Sequence, residues 1–331
     1  MKFSKCKGLT ALLVIVALIT LNACGNGAKT NDEPIRFLLD WFPNVNHSGL
    51  YVALDQGYYS EEGLAVDIMQ AADGSTAQLL ATGQGEFGIS YQEDVCFARS
   101  ENLPVVAIAT VIQHNTSGFA APVEKNIKTP ADFSGKVYGG WGSPAESATL
   151  KTLMEQYGAD FATLEMVNIG STDFFTAIAS GSIDFAWIYY GVTGVEAELR
   201  GQELDFIRIS EENDALDYYT PIIISSEQYL QEHPETARKF LRATARGYQY
   251  CIENPEAAAD ILIKYVPEQN AELIRAGQQY LTAEYQADAE QWGLMQANTW
   301  QAYADFLYQN ELIKEPLDIK AAFSNDYLPQ P

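Results

Sequence analysis

The sequence predicts an α/β protein of two lobes, and three observations carry that reading. From Ile35 onward the hydrophobic period switches repeatedly between strand-like and helix-like spacing, the mark of alternating elements around largely parallel sheets. At Ala121-Pro122 and again at Tyr219-Thr220-Pro221 an extended apolar segment meets a proline, as expected where a chain passes from one lobe to another. With 331 residues, 47% hydrophobic and 12% aromatic, the chain can fill two cores.

Taken in order, the first element is a leader. Lys2, Lys5 and Lys7 precede the apolar run Leu9 to Leu21, which is short for a membrane span and suited to the core of a signal peptide over residues 1–23. Leu21-Asn22-Ala23-Cys24 resembles a bacterial lipobox, which implies that Cys24 is the lipidated first residue of the mature chain and that residues 24–33 form a polar tether. The alternative is a plain secretory peptide with a chance cysteine. Beyond the leader no stretch approaches the roughly 20 apolar residues of a spanning helix, so the lipid is the expected link to the membrane.

Strands are expected at Ile35 to Leu39, Ala65 to Met69, Phe87 to Tyr91, Val105 to Ile112, Lys136 to Tyr138, Glu165 to Ile169, Ile183 to Ile188, Phe206 to Ile209 and Ile222 to Ile224. Gly49 to Gln56 and Thr76 to Thr82 carry helical spacing. From Glu235 the pattern is mostly helical, with Pro234, Pro255 and Pro267 near helix starts. The two proline boundaries divide the chain into a first lobe of residues 34–121 and 222–331 and a second of residues 122–221. One lobe pair per chain predicts a monomer.

Composition excludes several functions. Twenty Lys+Arg against 44 Asp+Glu give a formal charge of −24, which disfavours nucleic acid and anionic lipid as partners. Four scattered cysteines and three scattered histidines suggest no metal site, and Cys96 and Cys251 read as small core residues, a secreted disulfide between them being the alternative. Gly83-Gln84-Gly85-Glu86-Phe87-Gly88 matches the dinucleotide fingerprint in letters only, because it follows a helix and enters a strand. No P-loop, nucleophile elbow or H-E-x-x-H is present, so neither a cofactor nor a catalytic residue is expected.

Ligands in open α/β sheets bind beyond the carboxyl ends of strands, which directs attention to four loops. The first, Asp40 to Gly49, offers Trp41 as a stacking face with Asp40, Asn44 and His47 as hydrogen-bonding groups; Trp41 otherwise packs inward and His47 merely orients the loop. The second, Gln113 to Gly118, contributes Asn115. The third, Gly139 to Glu146, joins a strand to a helix through glycines; Trp141 is either a cleft wall or a buried indole, with Ser143 as helix cap. The fourth, Trp187 to Gly194, brings Tyr189, Tyr190 and Thr193.

Asp40-Trp41-Phe42-Pro43-Asn44 with His47, Gly49-Leu50-Tyr51-Val52-Ala53, Gly57-Tyr58-Tyr59, Gly139-Gly140-Trp141-Gly142-Ser143-Pro144 and Trp187-Ile188-Tyr189-Tyr190 together resemble the substrate-binding lipoproteins of ABC importers in the pyrimidine-precursor-synthase-like family. The resemblance spans about residues 34 to 329. It implies a type II clamshell with a small heteroaromatic ligand closed between lobes, a permease and an ATPase as partners, and thiamine pyrimidine precursors as the first ligands to consider. Relatives that bind riboflavin, and sulfonate- or nitrate-binding proteins of the same fold, are the alternatives, as is a pyrimidine-forming synthase whose cysteine-rich cluster is missing here. The family's Tyr-Tyr-Asn-Trp-Glu stretch reads Tyr189-Tyr190-Gly191-Val192-Thr193, so its glutamate is replaced by Thr193. Asp40, Glu93 and Glu146 are the carboxylates available to take its part.

Overall fold

The computed structural model describes residues 34–70, 75–170 and 172–330. The leader, Cys24 and the tether lie outside the described residues. Among the described residues ten strands form two five-stranded sheets. In the first, β1 (Ile35–Leu39), β2 (Val66–Gln70), β3 (Phe87–Ser90), β4 (Val105–Thr110) and β10 (Ile222–Ser226) stand in the order β2-β1-β3-β10-β4. In the second, β5 (Ser117–Pro122), β6 (Val137–Gly140), β7 (Glu165–Asn168), β8 (Phe185–Tyr189) and β9 (Leu204–Arg208) stand in the order β7-β6-β8-β5-β9.

Each sheet has one strand running against the rest, and in both cases it is the strand that enters from the other lobe. β10 is antiparallel to β3 and β4, and β5 is antiparallel to β8 and β9, while β1–β2, β1–β3, β6–β7 and β6–β8 pair in parallel. The chain therefore crosses between sheets at residues 111–116 and again at 209–221. The first crossing precedes Ala121-Pro122, where the sequence placed it. Ala121 and Pro122 pair with Asp205 and Leu204 inside the second sheet. The sequence Ser117-Gly118-Phe119-Ala120-Ala121-Pro122 has little β-propensity, but all six residues are buried between neighbours on both sides. Gly118 is required there, since a Cβ would lie 2.2 Å from the Ile207 carbonyl oxygen.

Helices cover the sheets. Pro234–Glu253 crosses Ser48–Asp55 so closely that a Cβ on Gly247 would meet the Gly49 oxygen at 2.0 Å. Beneath this crossing Phe240 stacks on Phe87 at 4.2 Å and on Phe37 at 5.6 Å. In the second sheet Phe133 stacks on Phe185 at 4.4 Å beside Phe119 and Tyr138. One apolar cluster runs continuously from Leu38 and Ile224 of the first sheet through Tyr218 to Phe119 and Phe185 of the second, so the lobes share a core at the crossings. Both Cys96 and Cys251 are buried free thiols, as the apolar reading expects, and burial pushes both upward in pKa.

Candidate functional site

The loop after β1 is built around a buried histidine. The Asn44 side chain caps the short turn Val45–His47, and the Asn44 backbone N–H donates to His47 Nδ1 at 3.1 Å. That nitrogen must accept, which places the ring proton on Nε2, 2.9 Å from Asp40 Oδ1. Asp40 Oδ2 accepts from the Tyr91 hydroxyl. Burial pushes the Asp40 carboxyl up, but the His47 and Tyr91 hydrogen bonds outweigh it and hold the group below the ordinary range. With His47 fully buried, its work is to fix the loop. Trp41 and Phe42 project from that loop, each 57% exposed and edge-to-face at 5.8 Å, so Trp41 is a surface ring and not a core one.

The loop after β6 is held from below. Glu146 is 1% exposed and accepts from Tyr138 Oη at 2.6 Å and from the N–H groups of Trp141, Gly142 and Ser143 at 3.1, 2.6 and 2.7 Å. A Cβ at Gly140 would stand 2.2 Å from Glu146 Oε1, which is why that strand ends in glycine. Its carboxylate is fully committed to this loop. Trp141, 46% exposed, is thereby presented outward with its ring 5.6 Å from Trp187.

Between these loops the lobes touch. Ser143, the cap of helix Pro144–Gln156, donates to Glu93 Oε1 at 3.1 Å, and Tyr303 donates to Glu93 Oε2 at 3.4 Å. Glu93 belongs to helix Gln92–Ser100 of the first lobe. Burial and the neighbouring Asp94 charge push its carboxyl up to about 7. Asp94, which accepts from Ser90 at 3.3 Å, is raised by burial and by Asp40. Tyr189 and Tyr218 feel both Glu93 and Asp94, and Tyr218 packs on Tyr303 at 4.2 Å.

Of the residues singled out in the sequence, Asp40, Glu93, Ser143 and Tyr189 are thus gathered where the lobes meet, with Trp41 and Trp141 exposed on the loops that carry Asp40 and Ser143. Thr193 lines a cavity of about 150 Å³ at the carboxyl ends of the second sheet, with Trp141, Trp187, Gly140 and Thr172. Tyr190 turns away: its hydroxyl donates to Glu198 at 2.5 Å and its ring packs on Phe206 and Tyr280. Asn115 lies in the first crossing, where Oδ1 accepts from Ser117 at 2.9 and 2.6 Å and Nδ2 donates to Leu216 O at 3.1 Å, tying one crossing to the other. Asn44 and His47 shape their own loop. Tyr91, Asp94, Tyr218 and Tyr303 escaped the sequence reading. Tyr91 follows β3 directly and was accessible to the same strand-end rule; Tyr218 and Tyr303 join only through folding.

Two sheets linked by two crossings, each sheet with the strand order found here, define the clamshell of extracytoplasmic solute-binding proteins. Within it the chain belongs to the NMT1/THI5 like family, whose model matches residues 44–258. It is 29% identical to the formylaminopyrimidine-binding protein of Halalkalibacterium halodurans, over 96% of this chain and 99% of that one. It is 26% identical to a riboflavin-binding protein of Chloroflexus aurantiacus, over 98% of each chain. A 4-amino-5-hydroxymethyl-2-methylpyrimidine phosphate synthase of Legionella pneumophila is 27% identical over 89% of this chain and 92% of its own. Among solved structures, the periplasmic aliphatic sulphonate binding protein of Escherichia coli superposes with a TM-score of 0.70 at 16% identity, covering 90% of this chain and 92% of that one.

Proposed function

We propose that this protein is the solute-binding component of an ABC importer and captures a single-ring nitrogen heterocycle, foremost a thiamine pyrimidine precursor of the formylaminopyrimidine or hydroxymethylpyrimidine kind. The observation that carries this reading is a carboxylate and tyrosine cluster drawn from both lobes, carried by loops that also bear two exposed indoles, Trp41 next to Asp40 and Trp141 two residues before Ser143. Indole faces stack on flat rings, and buried carboxylates accept ring and amino N–H groups. The Trp187 Nε1 donor, buried without a partner on the cavity wall, offers a bond to a ring acceptor. The cavity of about 150 Å³ at this strand end, lined by second-lobe residues, gives room for a single ring. An alkanesulfonate or nitrate would call for cationic donors, and the loops Asp40 to Gly49, Gly139 to Glu146 and Trp187 to Gly194 contain no lysine or arginine.

Ligand capture closes the lobes over it and presents a joined surface to the permease. A leader cleaved before Cys24, with a lipid on that cysteine, would keep the monomeric protein at the outer face of the membrane. The protein binds and releases its ligand unchanged, without the chemistry of the synthases it is related to. Calorimetry with hydroxymethylpyrimidine, formylaminopyrimidine, riboflavin and taurine, followed by mass analysis of the recovered ligand, tests this: a pyrimidine should bind and return intact. Binding of riboflavin or taurine alone, or recovery of an altered pyrimidine, would refute it.

A further inference from the structure

We propose that the cleft takes its ligand as a cation, a protonated or permanently charged one-ring nitrogen base, with Glu93 as its counter-charge. This rests on the cleft being the ligand site, as proposed above, and adds the charge of the molecule bound there.

Three observations converge on it. First, the Asp94 charge bears on Glu93 and the Asp40 charge on Asp94, and of the three only Asp40 has a histidine against it, His47 at 2.9 Å. Glu93 and Asp94 have no ion-pair partner among the described residues, their bonds coming from the neutral hydroxyls of Ser143, Tyr303 and Ser90. Buried negative charge without a counter-cation is costly, and a cation entering the site removes that cost. Second, the surroundings are aromatic, with Tyr189, Tyr218 and Tyr303 about Glu93 and Trp141 on the loop of Ser143, and ring faces attract organic cations. Third, Thr220 is 2% exposed and its hydroxyl lies against Tyr189 without completing a hydrogen bond, a polar group left for something between the lobes.

The titration of Glu93 gives the inference a sign. Facing it are Asp94 and Cys96 of its own helix, Ser143 and Glu146 of the second lobe, Tyr303 of helix Ala297–Gln309, and Tyr189 and Tyr218; none is cationic. Because Glu93 loses its proton near pH 7, a permanent cation should bind more tightly as pH rises through that value, whereas a neutral ring that accepts from the protonated carboxyl should bind less tightly.

The test uses the whole protein with three probes at about pH 8: the permanent cation 4-amino-1,2-dimethylpyrimidinium, its neutral counterpart 4-amino-2-methylpyrimidine, and phenyltrimethylammonium, each against the wild type and Glu93→Gln. The pyrimidinium should bind at least roughly tenfold more tightly than the neutral ring and lose most of that margin in Glu93→Gln. The ligand-free variant should melt no lower than the wild type, which separates lost recognition from lost folding. Equal or tighter binding of the neutral ring, or an unchanged margin in Glu93→Gln, overturns the cation inference and leaves the pyrimidine reading standing. Binding of phenyltrimethylammonium alone, sensitive to Glu93→Gln, supports the inference and removes the pyrimidine reading. Failure of both cations to bind overturns it.

Discussion

Trp41 and His47 share one loop and do opposite things. The exposed indole holds up nothing beneath it, while the buried imidazole orders the backbone that presents it. Trp41→Ala should therefore weaken heterocycle binding by roughly ten- to hundredfold, the worth of one stacked ring, and shift the melting temperature hardly at all. Calorimetry and a thermal melt of the same preparation check both halves. Glu93 makes a contrasting prediction. A carboxyl whose folded pKa is raised to about 7 stabilises the fold below its unfolded pKa and loses that contribution as pH rises through 7. At pH above 7 Glu93→Gln should raise unfolding stability by up to roughly 3 kcal/mol while weakening binding of a cationic ligand, and the gain should disappear in acid. Urea melts at several pH values read this directly.

His114 belongs to the crossings. Its Nδ1 lies 2.6 Å from Asp217 and its Nε2 3.0 Å from Asp288, and the Asp217 hydrogen bond leads in raising its pKa to about 9. A histidine raised above its unfolded value of 6.5 lends stability that is complete below about pH 6.5 and lost as pH rises through 9. His114→Gln should lower the melting temperature at neutral pH and leave it unchanged at about pH 10, since the imidazole is neutral there in both folded and unfolded chains. A constant difference across that range would show that charge has no part in the clasp.

At the level of elements, the loop Gly139 to Ser143 owes its shape to Glu146. Glu146→Ala would strip three backbone N–H groups and a tyrosine hydroxyl of their acceptor, at about 1–3 kcal/mol for each buried group left unpaired. Both stability and ligand affinity should fall together, unlike Trp41→Ala. The sequence marked Glu146 as a candidate ligand group because it cannot show that neighbouring N–H groups turn inward to meet it. It misplaced the first crossing for a related reason. Ser117 to Pro122 is a strand by burial and pairing, without the periodicity or β-branched residues that mark Ile222–Ser226. Long apolar runs such as Val105–Thr110 were legible because both faces of those strands are covered.

At the scale of the molecule, the alternation of strands and helices made the α/β class readable, and the strand-end rule pointed to Asp40, Ser143 and Tyr189 at the lobe junction but not to the helix residues Glu93, Asp94 and Tyr303. Sequence could not reveal which tyrosine of Tyr189-Tyr190 faces that junction, since one residue of register reverses the direction. Nor could it bring Tyr303 to Glu93 across 210 positions. A shared apolar core joins the lobes at the crossings. Clamshell closure predicts a smaller radius of gyration with ligand than without it, measurable by small-angle scattering; an unchanged value would rule out closure as the response to binding.

The most direct test of the central claim is a calorimetric titration of the purified protein with hydroxymethylpyrimidine and formylaminopyrimidine, with riboflavin and taurine as comparators. The account predicts saturable one-to-one binding of a pyrimidine that Trp41→Ala weakens. Saturable binding of taurine or riboflavin, with neither pyrimidine bound, would contradict it.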